Sequence, residues 1–280
     1  MSRILQFARE NGIVEINVID PAQKLLELEK ALSEKYGLKD CKVISTQLES
    51  ISLLYKKIGM AGAKYLAQKI NDNSKVGIGR GRTVRESIIN LPHGLNRKIK
   101  FLGLTGGLGE FDANWQPNEL CRIAANKFNG ECIYFYLQAV YEDVQILETI
   151  KKDSLIKYAL NLWDELDWAI VGIGSISDPL NPLHEKATKE IGEFLHIVDE
   201  SKPVGNCCHR LFDINGNFCK TNLDQRLVAI SPEQLRKCPN VVVMAGGVHK
   251  VEAITAALKG QFINILITDA LTAKNILDKK

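Results

Sequence analysis

Four short apolar runs, each rich in β-branched side chains and containing or followed by glycine, most constrain how this chain can fold. Each is followed by apolar residues at helical spacing. Repeated strand–turn–helix units predict an α/β fold: a doubly wound, mostly parallel, Rossmann-like sheet with helices on both faces. The runs are KVGIGRGRT at 75–83, KFLGLTGG at 100–107, AIVGIGS at 169–175 and VVVMAGGVHK at 241–250.

Glycines at the carboxyl ends of these strands also predict where a ligand binds. They let the backbone turn sharply and leave the first amides of the next helix facing an anion. Ligands of open α/β sheets bind at this edge. We therefore expect an anion-binding cleft that several loops share.

Hydrophobic periodicity and turn residues predict the remaining elements. A hairpin is expected from strands at 203–212 and 217–220 around a turn at 213–216. Helices are expected within 1–10, at 22–36, 51–70, from 83, at 117–128, within 143–160, from 231, at 249–258 and at 270–277. Strands are expected at 13–19, 42–44, 76–78, 99–104, 132–136, 167–173, 241–244 and 263–268.

Composition sets few limits on partners. The chain has 280 residues, of which 45% are hydrophobic and 25% charged, as in an ordinary globular protein. A formal charge of +3 is too small to predict a nucleic-acid surface by itself. No apolar run approaches the roughly 18 residues of a membrane span. We therefore expect a soluble, cytoplasmic protein.

The cysteines predict neither disulfides nor a metal site. There are seven, with no CxxC pair and no His-Cys cluster at zinc-ligand spacing. Reduced thiols used as small apolar residues are the simpler interpretation. No cofactor is predicted, because the glycine-rich turn at 79–83 matches neither a Walker A loop nor GxGxxG with a distant acid.

The first candidate site is the loop that contains Gly79, Gly81, Arg82 and Thr83. Its glycines permit close approach of the backbone to an oxygen-rich ligand. Its arginines add charged donors, and Thr83 can donate a hydroxyl or cap the next helix. The alternative is a tight turn with solvated arginines.

The second candidate is the loop of Thr105, Gly106 and Gly107 with the polar residues that follow it, including Asn118. Amides and a carboxylate near a cleft suit sugar hydroxyls, which need both donors and acceptors. Capping of a helix at 119–128 explains Asn118 at least equally well.

The third candidate is the loop of Gly246, Gly247 and Lys250. Lys250 is expected in the first turn of a helix, where a positive charge gains nothing from the helix dipole. Its position there favours a role in holding a phosphate or carboxylate. His249 is interpreted as a surface or capping residue.

The sequence lacks the usual signatures of catalysis. There is no Ser-His-Asp order, no HExxH and no obvious carboxylate pair at a strand end. The vicinal cysteines 207 and 208 cannot both face one side of a strand, so they are not a metal pair. The site is predicted to hold an anionic polyol and not to transform it.

Several motifs, in this order, resemble the sugar-binding effector domain of SorC-type (SorC/DeoR-like) bacterial transcriptional regulators. The similarity runs from about residue 20 to the end. The motifs are GxGRT at 79–83, Asn-Glu-Leu at 118–120, VGIGS at 171–175, VGN and FD.NG within 204–216, AGG.HK within 245–260 and TDA..A at 268–273.

The resemblance implies a fold related to sugar-phosphate isomerases and a sugar or sugar-phosphate effector. Gly81, Arg82 and Thr83 would hold the phosphate. Asn118 would contact the sugar, and Lys250 would hold a ligand oxygen. Gly174 would line another wall, and Asp269 would end the last strand. This chain has Asn206 where the family often has an acid, so an amide replaces an acidic partner for a ligand hydroxyl.

The resemblance also implies a domain organisation and partners. Residues 1–19 resemble the end of a helix-turn-helix module and its linker strand, and residues 20–280 form the effector domain. Operator DNA would be bound through that module, most of which is missing here. A homodimer or homotetramer is implied. The competing hypothesis is a sugar-phosphate isomerase- or deaminase-like enzyme on the same fold.

Overall fold

The computed structural model describes residues 7, 21–45, 50–108, 116–178 and 202–279. The strand predicted at 13–19 and the helix predicted within 1–10 lie outside these residues, apart from Phe7, which is helical.

The described part of the chain alternates strands and helices as the sequence predicts. The strands are β1 Asp40–Ile44, β2 Lys75–Ile78, β3 Lys100–Gly103, β4 Glu131–Ile133, β5 Trp168–Val171, β6 Gly174–Ser175, β7 Gly205–Cys207, β8 Arg210–Phe212, β9 Asn240–Met244 and β10 Ile265–Asp269. The helices are α1 Pro21–Tyr36, α2 Ile51–Lys69, α3 Arg82–Ile89, α4 Pro117–Phe128, α5 Val144–Ile150, α6 Ser154–Asn161, α7 Pro232–Lys237, α8 Val251–Lys259 and α9 Ala270–Asp278. Short 3-10 turns cover Leu162–Glu165 and Val248–Lys250.

Seven strands form one parallel sheet in the order β1-β10-β9-β5-β2-β3-β4. The predicted doubly wound, mostly parallel α/β fold is confirmed. Three short strands, β6, β7 and β8, form a separate antiparallel sheet.

The central strands are buried on both faces. In β9, Val241 and Val243 belong to one apolar cluster, and Val242 and Met244 belong to the other. Such strands read as continuous apolar runs, because neither face meets water. The VVVM pattern thus predicts a central parallel strand.

Helices cover both faces of the sheet. One apolar cluster contains buried residues of α1, α8 and α9, and the other contains residues of α2, α3 and α4. From β2 the chain proceeds outward to β3 and β4, then returns to place β5 on the other side of β2. The strand order therefore reverses between β2 and β5, where the flanking loops diverge and leave a crevice.

The predicted hairpin around 213–216 is present, since Phe212 and Phe218 form an antiparallel bridge and Cys219 N–H donates to the Leu211 carbonyl. The structure adds a tighter turn that the sequence analysis missed. The tight turn lies at Cys208–His209, between β7 and β8, inside the segment predicted as one strand. Two-residue hairpin turns usually carry Asn or Gly, so nothing in Cys-His marks this one. The predicted turn at 213–216 exists as well, with Gly216 N–H donating to the Asp213 carbonyl.

Two predicted boundaries also differ. β4 ends at Ile133 and not at residue 136, because its pairing with β3 extends only from Lys100 to Leu102. The helix predicted from His249 begins at Val251, after the 3-10 turn. None of the helices in the described ranges is both long and apolar enough to span a membrane.

Replacing Leu266 in the centre of β10 by alanine should lower the free energy of unfolding by about 2 to 5 kcal/mol, because it leaves a cavity in a fully buried position. The matched change Leu155→Ala on α6, where the side chain is 76% exposed, should change it by less than about 0.5 kcal/mol. Denaturant titration of both variants measures the difference; equal losses would contradict the two-faced burial of the sheet.

Candidate functional site

The predicted first loop lies at the reversal of strand order. Gly79 N–H donates to the Ile170 carbonyl at 2.8 Å, which ties the end of β2 to β5. Gly81 precedes α3 with φ of 156° and ψ of 152°, a conformation that is essentially restricted to glycine. Thr83 is buried in the first turn of α3. The start of this helix, with its unpaired amides and positive dipole end, therefore lies at the crevice.

Lys250 reaches the same region from the loop after β9. Its Nζ donates to the Ile173 carbonyl at 3.0 Å and lies 3.9 Å from Asp178 Oδ2. The ammonium also lies 5.0 Å from the centre of the Tyr55 ring. Lys250 thus lies in the 3-10 turn before α8, and its ammonium group contacts the loop after β5.

Burial lowers the pKa of Lys250 to about 8. Asp178 opposes the shift, whereas the positive charge of Arg82 adds to it. Two of the predicted cationic residues, from separate loops, therefore act on each other at one place. An anion bound there would relieve their repulsion.

A polar cluster that the sequence analysis missed surrounds Lys250. Tyr55 Oη lies 2.9 Å from His249 Nε2 and 3.5 Å from Asp178 Oδ2. Ser177 Oγ donates to the His249 carbonyl at 3.2 Å. Burial lowers the pKa of His249, and burial together with Asp178 raises the pKa of Tyr55. His249 is thus not a simple surface residue. Tyr55 could not be predicted as part of the site, because in the sequence it is one apolar position among others of an amphipathic helix.

Asp269 organises the loop after β9. It ends β10, as predicted, and its carboxylate accepts hydrogen bonds from Thr272 N–H at 3.0 Å and Thr272 Oγ1 at 2.6 Å. It also accepts one from Gly247 N–H at 3.1 Å. Gly247 has a φ of 104°, which favours glycine. Through these bonds, Asp269 holds the loop after β9 in place and caps the amino terminus of α9.

The second predicted loop differs from expectation. The amides of Gly106 and Gly107 donate to the carbonyls of Val228 and Leu137, so they are not free for an anion. Thr105 Oγ1 is buried and has no hydrogen-bond partner in the described part of the chain. Asn118 Nδ2 donates to the Phe135 carbonyl at 3.1 Å.

Asn118 does not cap the helix either, because α4 begins after Gln116. Gly174 and Asn206 are direct partners in the antiparallel pairing of β6 with β7, so the structure does bring these two predicted residues together. Their contact with a ligand stays a prediction.

A cavity of about 570 Å³ lies at the opposite edge of the sheet. It is lined by residues at the amino ends of the strands, including Asp40, whose carboxylate already accepts from Tyr65 and contacts Lys69. We place the site at the carboxyl edge, where the strand order reverses and cationic side chains converge. The described residues hold no cluster of metal-ligating side chains.

Fold and site together define an α/β ligand-binding domain with a cationic cleft at its strand crossover. A family model described as Putative sugar-binding domain matches residues 20–278. The chain therefore belongs to the SorC-type family of sugar-binding transcriptional regulators, as its motifs predicted.

Relatives over nearly the full chain include the sorbitol operon regulator of Klebsiella pneumoniae, 30% identical over 99% of this chain and 88% of that protein. The deoxyribonucleoside regulator of Bacillus subtilis is 27% identical over the same shares. The structure of full-length SorC from Klebsiella pneumoniae superimposes with a TM-score of 0.87 at 28% identity, covering 99% of this chain and 88% of that one. These relatives are named as regulators, which supports a non-enzymatic role.

Asp269→Ala should lower the free energy of unfolding by about 2 to 4 kcal/mol, because it removes a helix cap and leaves the Gly247 amide one acceptor short. Asp153→Ala removes the exposed cap of α6 and should cost about 1 kcal/mol. Denaturant unfolding of the two variants provides the comparison, and similar losses would contradict the organising role of Asp269.

The burial of Lys250 predicts a pH dependence of stability. Its folded pKa of about 8 lies below the usual 10.5, so the unfolded chain binds more protons between these values. The stability of the wild type relative to Lys250→Met should therefore rise with pH through this window, by about 3 kcal/mol in total. Unfolding titrations between pH 7 and 10 measure it, with the exposed Lys64→Met as control. A flat difference would contradict a buried ammonium.

Proposed function

We propose that this effector domain binds a sugar phosphate or a free sugar at the carboxyl edge of its sheet, and that binding controls operator DNA through a rearrangement of subunits. The observation that carries the proposal is the convergence of Arg82 and Lys250, from separate loops, beside the amino terminus of α3. Both the helix dipole and the two cations favour an anionic ligand. Gly81 and Thr83 supply backbone amides and a hydroxyl for its oxygens.

The remaining predicted residues would form the walls of the cleft. Gly174 and Asn206 lie on the β6–β7 pair, and Asn206 offers an amide to a ligand hydroxyl. Thr105 offers a buried hydroxyl. Gly246 and Gly247 would form the floor that Asp269 holds in position.

Control of DNA binding would follow from linkage. An effector that binds one arrangement of a homodimer or homotetramer more tightly shifts the population towards it. A shift from mostly one state to mostly the other needs about 5.5 kcal/mol of differential affinity. DNA would be contacted through a helix-turn-helix module, whose end residues 1–19 resemble. Such a regulator would act in the cytoplasm.

The carboxylates argue against the enzyme hypothesis. Asp269 caps α9, and Asp213 accepts from the backbone and side chain of its own turn. Asp112, in the loop predicted after Gly107, lies outside the described residues. A base for isomerisation must be able to reach a substrate proton, and Asp269 and Asp213 already serve structural bonds. A third described carboxylate, Asp178, lies against Lys250 and His249.

The test is thermal unfolding of the 280-residue chain with D-ribose 5-phosphate, 2-deoxy-D-ribose 5-phosphate, D-fructose 6-phosphate, D-sorbitol 6-phosphate and the corresponding free sugars. A ligand at 100 times its Kd stabilises by about 2.7 kcal/mol, which should raise Tm by several degrees. Thr83→Val should remove at least half of this shift, because a hydroxyl donor to the phosphate is lost. Thr149→Val, on the exposed face of α5, should leave it unchanged.

Failure of every compound at millimolar concentration to raise Tm would overturn the proposal. An equal loss of the shift in both threonine variants would move the site away from the 79–83 loop. A shift with free sugars alone would retain the effector role and exclude the phosphate.

A further inference from the structure

The unexpected turn between β7 and β8 lies against the candidate cleft. A Cβ atom placed on Gly79 would be 3.4 Å from Cys208 Sγ, so the tip of this hairpin contacts the loop after β2. The same Gly79 is tied to the end of β5. The turn of Cys208 and His209 therefore lies where the strand order reverses, beside the loop that we propose to hold the effector.

His209 carries a buried polar atom that the fold does not use. Its Nε2 is buried and has no hydrogen-bond partner within the described ranges. The residue as a whole is partly exposed. Buried polar atoms are almost always paired, and an unpaired one needs an explanation.

The charge state of this imidazole is set by its surroundings. Burial lowers the pKa of His209 to about 4, and the positive charges of Arg80 and Arg210 add to the shift. The ring is therefore neutral at physiological pH and offers one N–H donor and one acceptor nitrogen. Phosphate oxygens prefer the arginines, whereas a hydroxyl, itself donor and acceptor, matches a neutral imidazole.

The backbone conformation does not explain why a histidine occupies position 209. Cys208 and His209 have φ values of 50° and 64°, in the left-handed region that glycine adopts without strain. Arg210 anchors the turn instead, donating to the carbonyls of Ile230 and Ala229 and to Asp224. A bulky side chain at such a backbone position beside a cleft points to a role in the cleft.

We propose that His209 is a specificity-determining residue of the effector cleft, whose neutral imidazole pairs through Nε2 with a hydroxyl group of the sugar. The proposal rests on the proposed function, since it concerns the ligand of the same site. A site that hydrogen-bonds a hydroxyl discriminates strongly against analogues that lack it, because its own polar group would then stay unpaired.

The test uses His209→Gly, which suits the left-handed backbone, and His209→Asn, which tolerates it and keeps a donor and an acceptor. Calorimetric titration measures the affinity of each for the tightest sugar in the panel above and for inorganic phosphate. His209→Gly should weaken sugar binding at least tenfold and change phosphate binding less than twofold. His209→Asn should recover most of the loss, and exposed His93→Gly serves as the matched control.

A second readout does not depend on variants of altered stability. In wild-type protein with ¹⁵N-labelled histidine, the Nε2 resonance of His209, assigned by its absence from His209→Asn, should shift when the same sugar is added. Inorganic phosphate alone should leave it in place.

The outcomes separate the two proposals. Wild-type protein that binds none of the sugars overturns the proposed function and this inference with it. Binding by the wild type that His209→Gly leaves unchanged overturns this inference alone. Equal weakening of sugar and phosphate, with no recovery in His209→Asn, would show that the turn only shapes the loop and would likewise overturn it.

Discussion

The burial of the central strands on both faces is the constraint on which the rest of this structure depends. Parallel strands such as β9 and β5 lack a solvated face, so helices must cover both sides of the sheet. To place helices on both sides, the chain must reverse its direction of winding once, between β2 and β5. The crevice, and the loops that meet there, are consequences of covering the sheet.

The site gathers several cationic side chains at that crevice, with Asp178 as a buried carboxylate beside Lys250. Burial is the main cause of the lowered pKa values of Lys250 and His209; Arg82 adds to the shift of Lys250, and Arg80 and Arg210 add to that of His209. Each of these shifts records an unfavourable interaction that the fold tolerates. An anionic ligand would turn both into favourable ones, because its charge stabilises the protonated amine and occupies the arginines. The electrostatics therefore favour an effector that carries at least one negative group, with neutral donors such as His209 and Asn206 left for its hydroxyls.

The sequence predicts the parts of this structure that depend on local pattern. Apolar β-branched runs such as 241–244 specify buried strands, and glycines such as Gly81 mark the backbone at their ends. The order of these motifs also indicated the family. What could not be predicted depends on contacts between distant segments. Tyr55 on α2 and Asp178 after β5 both lie close to Lys250. No sequence spacing predicts this contact, because the three residues are far apart in the chain.

The loop of Thr105, Gly106 and Gly107 also shows that a local pattern does not predict contacts between distant segments. Its sequence resembles that of the 79–83 loop, but its amides are bonded to Val228 and Leu137, residues far along the chain. A strand that ends in glycine is thus not sufficient to form an anion-binding loop. The turn at Cys208–His209 escaped prediction for a related reason: turn signals are statistical preferences for glycine and asparagine, and Cys-His contains neither.

The position of Lys250 offers a physical route from ligand to assembly. Its side chain contacts α2 through Tyr55, the segment after β5 through Ile173 and Asp178, and the turn before α8 through its own backbone. A ligand that attracts the ammonium competes with these three contacts at once, so its binding energy is distributed over segments that lie on both faces of the sheet.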